Sequence, residues 1–180
     1  MQLFAAIKKE LGISDEMMKD GNYFRRICTG GLRGELELTK EQVVDIIEYA
    51  KQYGIKDEDI FIKYNDRDYT SYARLFGAKD VLYINSDVMP AIKATTANSR
   101  VSWKGAIAHE LEGHRAAALI GKTHPINELE EVQASIRASK FGKDLTEIER
   151  NTLWDDAMER LEKYGKNYEQ IKDELWLDEF

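Results

Sequence analysis

Two histidines and two glutamates interrupt a segment that is otherwise mostly apolar or small, and this segment constrains the fold more than any other. His109 and His114 enclose Glu110 and Glu112, and alanine, glycine, leucine and isoleucine dominate the flanking positions of 103–120. A helix of this composition is expected to be buried, where charged groups persist only if they are paired or bound to a metal ion. The alternative is a solvated helix face, which requires the helix to be exposed.

The spacing of the two histidines predicts a defect in this helix. Side chains four residues apart lie about 40° apart around an α-helix and can share one metal ion, as in the HExxH pattern. His114 follows His109 by five residues, which separates the two side chains by about 140° in a regular α-helix. A π-bulge adds one residue to a turn and brings the rings back to one side. We expect the bulge near Gly113, where the backbone adapts most easily.

Glu110 follows the first histidine directly, and this position places a carboxylate beside a metal ion rather than on it. A carboxylate there can take a proton from a metal-bound water as the water attacks a carbonyl. We therefore expect Glu110 to be the catalytic base. Glu112 is the competing carboxylate, and we interpret it as a residue that supports the ligands or faces solvent.

A catalytic zinc site commonly has three protein ligands and one open position, so a third ligand is needed. On the next predicted helix, Glu131 shares a face with small residues that allow a close approach to another helix: Ala134, Ser135 and Ala138. Glu130 shares its face with longer polar side chains and is expected to face solvent: Gln133, Arg137 and Lys140. Periodicity therefore favours Glu131 over Glu130. The alternatives are that Glu131 is a surface residue and that His124, in a Thr-His-Pro turn, is the third ligand.

The two motifs resemble the paired zinc-binding motifs of a known peptidase family. HELEGH and the downstream EEVQA are similar to the motifs of the dipeptidyl peptidase III family of gluzincin-like zinc exopeptidases. In that family the two histidines and the second downstream glutamate bind zinc, which implies His109, His114 and Glu131 as ligands here. The glutamate after the first histidine is the base, which implies Glu110 in that role. The resemblance covers about thirty residues, and Gln133 stands where the family has arginine, so it implies site chemistry and not dipeptidyl specificity.

A longer stretch resembles the metallopeptidase-type toxin domains at the ends of bacterial polymorphic toxins. The similar segments are ANSRVSWKGAIAHELEGHRAA, LEEVQASIRASKF and ERNTLWDDAMERL. This resemblance implies a bacterial effector that acts in a competitor or host cell and is restrained by an immunity protein. The chain starts with methionine and shows no delivery module, so the alternatives are a free-standing relative and an excised toxin domain.

The pattern of apolar residues predicts an α+β fold in a single domain over 1–180. The first part, 1–98, contains the sheet, with strands predicted at 35–38, 60–64 and 81–84. Helices in this part are predicted at the N-terminus, after a capping box formed by Thr39 and Gln42, and at 69–76. The second part, 99–180, is predicted to be helical at 103–120, 127–141, 146–164 and 167–177 and carries the metal site.

A peptidase needs further groups beside its metal ligands. Peptidases commonly hold an extended substrate along an edge strand, and 81–85 is the candidate here, with an ordinary core strand as the alternative. A donor to the developing oxyanion is also needed, and the candidates are Tyr83, Arg100 and Arg137. Cys28 has no histidine near it in sequence, and we interpret it as a buried thiol.

The composition narrows the partners and the compartment. The chain has 33 acidic and 26 basic residues and a formal net charge of -7, which argues against a nucleic-acid binder with a basic face. No stretch approaches the roughly 20 apolar residues that span a bilayer, and the N-terminus lacks the pattern of a signal peptide. We therefore expect a soluble protein, cytoplasmic or delivered to a target cell by a secretion system, with no membrane or nucleic-acid partner.

Together these features predict a zinc metalloprotease, a hydrolase that cleaves a peptide or protein substrate. One Zn2+ ion held by His109, His114 and Glu131 would activate a water, with Glu110 as general base. One alternative is a metal-dependent hydrolase of a non-peptide bond. Another is a non-enzymatic binding domain with a structural metal site, which a fourth ligand such as His124 or Glu112 would close.

Overall fold

The computed structural model describes residues 33–62, 69–75 and 79–178. Within these residues a small sheet with one long helix precedes a helical second half, which confirms the α+β fold. The predicted N-terminal helix, Cys28 and the end of the strand expected at 60–64 lie outside the described residues.

Helix α1, Lys40–Lys51, begins where the sequence predicts. The hydroxyl of Thr39 accepts a hydrogen bond from the N–H of Gln42 (3.2 Å), and the Gln42 side chain accepts one from the N–H of Thr39 (2.8 Å). This capping box satisfies two N–H groups that the helix itself leaves without partners. The inner face of α1 is buried through Ile46, Tyr49 and Ala50.

The described residues form a sheet of three strands in the order β1-β3-β2, where β1 is Ile60–Ile62, β2 is Ser71–Leu75 and β3 is Lys79–Ile84. β1 runs parallel to β3, and β2 runs antiparallel to it. The strand predicted at 81–84 is confirmed as part of β3, and its buried side chains are Val81, Leu82 and Ile84.

Three predictions for this part of the chain are wrong. Within the range 69–76, where a helix is expected, residues 71–75 form the strand β2, because pairing with the buried β3, with Tyr72 opposite Leu82, outweighs a local pattern that also fits a helix. The edge strand expected at 81–85 lies instead at the centre of the sheet, so the edges of the described sheet are β1 and β2. The described residues at 35–38 form no strand: Leu36 is 69% exposed, and Leu38 packs against the core that includes Leu82 and Ile84 without pairing with the sheet.

The helical half contains one continuous helical segment that changes type along its length. This segment, 103–119, comprises α3 (Trp103–Ala108), a π-helix (His109–Arg115) and α4 (Ala116–Leu119). The other helices are α2 (Ala97–Arg100), α5 (Asn127–Phe141), α6 (Glu147–Tyr164) and α7 (Tyr168–Ile171). The predictions for α5 and α6 are confirmed, whereas the helix expected at 167–177 ends at Ile171.

Two apolar clusters hold these elements together. In the first, Leu82 and Ile84 of β3 belong to the same core as Ile107 and Leu111 of segment 103–119. In the second, α5 packs against α6 and α7 through buried side chains that include Leu129, Val132, Ile136, Leu161 and Ile171. Burying each large aliphatic side chain contributes about 1.5–3 kcal/mol relative to leaving it exposed. Segment 103–119 contacts β2 on one side and α5 on another.

In the described part of the chain, none of the helices has the length and apolar character needed to cross a membrane.

Candidate metal centre

His109 and His114 share one side of segment 103–119 because the turn between them is π-helical. The N–H of Ala116 donates to the carbonyl of Leu111, five residues earlier, where an α-helix would use the fourth. The two imidazole rings therefore meet edge-on, with centroids 4.8 Å apart and Nε2 atoms 3.1 Å apart. The predicted helix defect is confirmed.

Gly113 allows the π-helix to approach α5 closely. A Cβ atom at this position would lie 2.6 Å from the Cβ of Ala134 and 2.7 Å from both its Cα and its carbonyl oxygen. Two of these three atoms belong to the backbone, which cannot move aside as a flexible side chain would. Backbone adaptability is the property that the sequence suggests for Gly113, but the structure shows that the absence of a side chain matters at least as much.

Glu131 reaches the two histidines from α5. Its Oε2 lies 3.3 Å from Nε2 of His109, and its Oε1 lies 3.4 Å from Nε2 of His114. A zinc ion with tetrahedral bonds of about 2.0–2.1 Å holds its donor atoms about 3.3–3.4 Å apart, close to the separations observed here. These three residues therefore form a cluster that can hold a metal ion, and they are the three that the sequence predicts as ligands.

The outer nitrogen of His109 is fixed by a chain of hydrogen bonds that the sequence does not reveal. Nδ1 of His109 lies 3.0 Å from Oγ of Ser135, and the Ser135 hydroxyl donates to Oδ2 of Asp156 (2.7 Å). Because the only hydroxyl proton of Ser135 goes to Asp156, the serine oxygen accepts the proton on Nδ1 of His109. This leaves the lone pair of Nε2 directed at the cluster, as a metal ligand requires.

Glu130 performs the same task for His114. Its Oε1 lies 3.1 Å from Nδ1 of His114, and its Oε2 accepts the backbone N–H of His124. The expectation that Glu130 faces solvent is wrong, since its side chain is only 12% exposed. His124 is not part of the cluster, because its Nδ1 accepts the N–H of Ile126 (3.1 Å) and only its backbone reaches Glu130.

Gln133 and Arg137, which share this face of α5, are also buried, whereas Lys140 at its end is exposed. The reason for the burial lies at the C-terminus. The N–H of Trp176 donates to Oε1 of Gln133 (2.8 Å), and the indole of Trp176 stacks on Arg137, with the guanidinium carbon 3.8 Å from the ring centroid. Arg137 also donates to the carbonyl of Asp178 (2.6 Å). The segment after α7 therefore covers the side of α5 that periodicity assigns to solvent.

Arg160 of α6 also lies beside the cluster, although no motif in the sequence includes it. Its Nη1 lies 3.3 Å from Oε2 of Glu131, and its Nε lies 2.8 Å from Oδ2 of Asp156. A signal was present, because Asp156 and Arg160 are spaced to share one face of α6 with the apolar residues Leu153 and Ala157. Two opposite charges on an otherwise buried stripe indicate a paired, functional position.

Glu110 is close to the cluster without belonging to its converging donors. Its Oε2 accepts a 2.8 Å hydrogen bond from the backbone N–H of Tyr72 in β2. Burial raises the pKa of the Glu110 carboxyl, and the charges of His109 and His114 partly offset this rise. The residue therefore combines the position and the proton affinity expected of a general base.

Glu112 and the candidate oxyanion donors lie elsewhere. Oε1 of Glu112 accepts a 2.7 Å hydrogen bond from Arg137, which also donates from Nε to the Glu112 carbonyl (3.2 Å). Glu112 thus ties the π-helix to α5. Tyr83 packs against Phe61 with ring centroids 5.8 Å apart, and Arg100 is exposed at the end of α2. In the described structure none of the three candidates Tyr83, Arg100 and Arg137 hydrogen-bonds to the ligand cluster.

Comparison of this chain with protein-family models, curated proteins and solved structures gives no match. The resemblance of its motifs to those of the dipeptidyl peptidase III family and of bacterial toxin domains therefore stays a prediction.

Proposed function

We propose that this chain is a zinc-dependent peptidase in which His109, His114 and Glu131 bind one Zn2+ ion and Glu110 is the general base. The observation that carries the proposal is that three donor groups converge: the two histidine Nε2 atoms are 3.1 Å apart, and each lies 3.3–3.4 Å from one of the two Glu131 carboxylate oxygens. Tetrahedral zinc holds its donor atoms at about this spacing. Three ligands leave one coordination position for water and substrate. Two histidines and one carboxylate are a ligand set typical of catalytic zinc sites.

Zinc in such a site lowers the pKa of water and polarises a carbonyl group. Glu110 accepts a proton from the attacking water while the water oxygen bonds to the carbonyl carbon of the scissile peptide. The carbon–nitrogen bond then breaks, and Glu110 returns the proton to the departing amine. A carboxylate whose pKa is raised by burial suits both transfers, because it binds a proton more readily than an exposed glutamate.

An extended peptide is the substrate that the position of β2 favours. β2 replaces the segment 81–85 as the candidate strand for binding it, because β2 lies at an edge of the described sheet. Tyr72 of β2 directs a backbone N–H at Glu110. Nη1 of Arg74 donates to the carbonyl of Ala118 (2.9 Å), so the strand runs beside the helical segment that carries the histidines. Backbone groups of an edge strand pair with an extended peptide and can hold its carbonyl next to the site.

A structural metal site is the main alternative, and a fourth protein ligand would close it. The two candidates for that ligand, His124 and Glu112, hydrogen-bond to Ile126 and Arg137 respectively. An open site therefore has more support than a closed one. Hydrolysis of a non-peptide amide or an ester would use the same residues, and a panel of such substrates assayed beside peptides separates these reactions.

The proposal is tested by measuring metal content and proteolysis together. We expect the purified protein to hold one zinc per chain and to cleave an unfolded protein mixture. Glu110→Gln should keep the zinc and lose activity by on the order of 100-fold or more. Glu128→Gln, at an exposed position of α5, is the matched control and should cleave like the wild type. Absence of stoichiometric zinc, or equal cleavage by wild type and Glu110→Gln, would contradict the proposal.

A further inference from the structure

Arg160 of α6 lies at the part of the cluster that opens to solvent. Its Nη1 is 3.3 Å from Oε2 of Glu131, and the side chains of Arg160 and Glu131 are 31% and 30% exposed. The histidine side chains are more deeply enclosed, with exposures of 11% for His109 and 15% for His114. A substrate that approaches the cluster from this side meets the guanidinium of Arg160.

The other arginines near the cluster, Arg137 and Arg115, donate hydrogen bonds to groups of the protein itself. The side chain of Arg137 is fully buried, and Arg115 donates to Asp80 (3.1 Å) and to the carbonyl of Tyr53 (2.9 Å). Within the described residues, Arg160 makes its hydrogen bond and ion pairs through Nε and Nη1, which leaves Nη2 as a donor for another molecule.

Arg160 also faces the carboxylates that the reaction uses. Its guanidinium pairs with Glu131 on one side and with Asp156 on the other. An arginine side chain stays charged in proteins, so these two contacts hold a fixed positive charge between the ligand cluster and α6. A fixed cation at this place can stabilise negative charge that develops only during the reaction.

We propose that Arg160 is a catalytic residue that donates a hydrogen bond to the carbonyl oxygen of the scissile bond, a role that rests on the peptidase function proposed above. When the water oxygen bonds to the carbonyl carbon, the electron pair of the C=O double bond moves onto the carbonyl oxygen, which becomes negatively charged. Oε2 of Glu131 is 3.3 Å from both Nε2 of His109 and Nη1 of Arg160. Arg160 thus contacts the same carboxylate oxygen that would help to hold the ion, so a carbonyl oxygen polarised there would be within reach of its donors.

A role restricted to positioning the ligands leads to a different expectation. Arg160 holds Asp156, which accepts the hydroxyl proton of Ser135, and Ser135 in turn holds His109. If Arg160 acted only through this chain, Asp156→Asn would reproduce the effects of Arg160→Ala, because both break the same ion pair. If Arg160 contacts the substrate, Asp156→Asn weakens zinc binding and leaves the guanidinium available to the carbonyl oxygen.

The first experiment measures zinc content and steady-state kinetics of Arg160→Ala and Arg160→Lys on a peptide that the wild type cleaves. Arg160→Ala should keep one zinc per chain and lose on the order of 100- to 1,000-fold in kcat, with KM changed only a few-fold. Arg160→Lys should recover part of kcat, because a cation remains without the planar pair of donors. Lys163→Ala, which removes an exposed charge from the same helix, is the matched control and should match the wild type.

The second experiment does not depend on turnover. Acetohydroxamate, a small anionic zinc ligand with a carbonyl oxygen, is titrated into the zinc-loaded proteins by calorimetry. Its affinity should fall on the order of 10-fold or more in Arg160→Ala and stay close to that of wild type in Asp156→Asn, because a hydrogen bond to a charged group is lost only in the former.

The possible outcomes separate the two proposals. Unchanged kcat and unchanged acetohydroxamate affinity in Arg160→Ala overturn the role of Arg160 while the peptidase function stands. Equal losses in Arg160→Ala and Asp156→Asn, accompanied by loss of zinc, also overturn it and assign positioning. If the wild type binds zinc but cleaves no peptide, the peptidase function fails, and the acetohydroxamate titration alone decides whether Arg160 serves an oxyanion at this site.

Discussion

The backbone N–H of Tyr72 donates a 2.8 Å hydrogen bond to Oε2 of Glu110, and this bond joins the sheet to the helical segment that carries the histidines. The same tyrosine makes a second link, because its hydroxyl donates to Asp80 (2.8 Å) and Asp80 accepts from Arg115 of the π-helix (3.1 Å). The position of the Glu110 carboxylate is therefore set by β2 as well as by its own helix. The strand that we propose as the substrate-binding edge thus also holds the proposed base.

This arrangement predicts that Glu110 lowers the stability of the protein after zinc has been removed with a chelator. Burial raises the pKa of Glu110, and the charges of His109 and His114 oppose this rise. The contribution of this carboxyl to stability is therefore greatest below its ordinary pKa and is lost as the pH rises through the raised pKa. Glu110→Gln keeps an acceptor for the N–H of Tyr72 and removes the buried charge. We expect its free energy of unfolding at pH 7 to exceed that of wild type by on the order of 1 kcal/mol.

Urea unfolding of the stripped proteins at several pH values checks this expectation. The difference between wild type and Glu110→Gln should disappear below about pH 4, where the unfolded carboxyl is protonated as well. Glu128→Gln at an exposed position should leave stability unchanged at every pH. A Glu110→Gln protein that is less stable than wild type at pH 7 would show that the surroundings favour the carboxylate.

Ser135 should matter for metal binding although it is not itself one of the proposed ligands. Its oxygen accepts from Nδ1 of His109 and its proton goes to Asp156, so Ser135→Ala releases the ring from its fixed orientation. Loss of such a supporting hydrogen bond typically costs 10- to 100-fold in metal affinity, and we expect a loss of about that size. The measurement is a competition titration with a chromophoric zinc chelator.

Ser139 provides the matched control on the same helix. Its hydroxyl donates to the carbonyl of Arg150 (2.8 Å), away from the histidines. Ser139→Ala should therefore bind zinc like the wild type even if it unfolds at a slightly lower temperature. Equal zinc affinities for Ser135→Ala and Ser139→Ala would mean that His109 is held by packing alone.

Zinc binding should release a proton from His114. Burial lowers the pKa of this histidine, but hydrogen bonds with Glu130 and Glu131 raise it more, to about 10. In the stripped protein the charged ring therefore contributes stability that is fully present below its ordinary pKa of 6.5 and is lost as the pH rises through about 10. Because zinc needs the neutral ring, its affinity should increase with pH across this range.

Calorimetric titration of zinc into the stripped protein at pH 7.5, in two buffers of different ionisation enthalpy, measures the released proton. The apparent binding enthalpy should differ between the buffers in proportion to that proton. Glu130→Gln removes the charge that faces Nδ1 of His114, so the number of protons released should fall in this variant. Identical enthalpies in the two buffers would show that His114 is already neutral at this pH.

The parts of the structure that follow from local sequence could be predicted, and those that depend on distant partners could not. α5 matches its predicted range because a regular apolar stripe runs along it and Gly142 follows its last residue. The five-residue spacing of His109 and His114 predicts the π-helix because no regular α-helix brings both rings to one side. β2 was beyond such reasoning, since the partners of Tyr72 in β3 and at Glu110 lie up to 38 residues away.

The site shows the same division between local and distant information. Periodicity on α5 directs Glu131 toward the histidines, and the structure brings it there. Periodicity also assigns Glu130 to solvent, which is wrong because the residues around Trp176 cover that face after the chain has turned back. Arg160 reaches Glu131 from a helix that no motif includes. A pattern on one helix shows which residues share a face, but what covers that face is decided by tertiary packing.

Gly113 offers the strictest test of the geometry of the site. Gly113→Ala places a Cβ atom 2.6 Å from the Cβ of Ala134 and 2.7 Å from its Cα and carbonyl oxygen, so the π-helix and α5 must separate. Overpacking of this kind typically costs about 1–3 kcal/mol in stability, and here it also moves Glu131 away from the histidines, so zinc affinity should fall as well. Gly54→Ala is the contrasting variant, because Gly54 has a φ of +77° but open space around it, and it should lower stability without changing zinc affinity.

A second substitution decides whether the contact with Ala134 is the cause. Ala134→Gly removes the nearest of the three atoms and leaves the two backbone atoms in place, so the double variant Gly113→Ala with Ala134→Gly should recover stability and zinc affinity only in part. Thermal unfolding with and without added zinc measures both quantities in one series. If Gly113→Ala keeps wild-type zinc affinity, the close approach of the π-helix to α5 is not needed to bring Glu131 to His109 and His114.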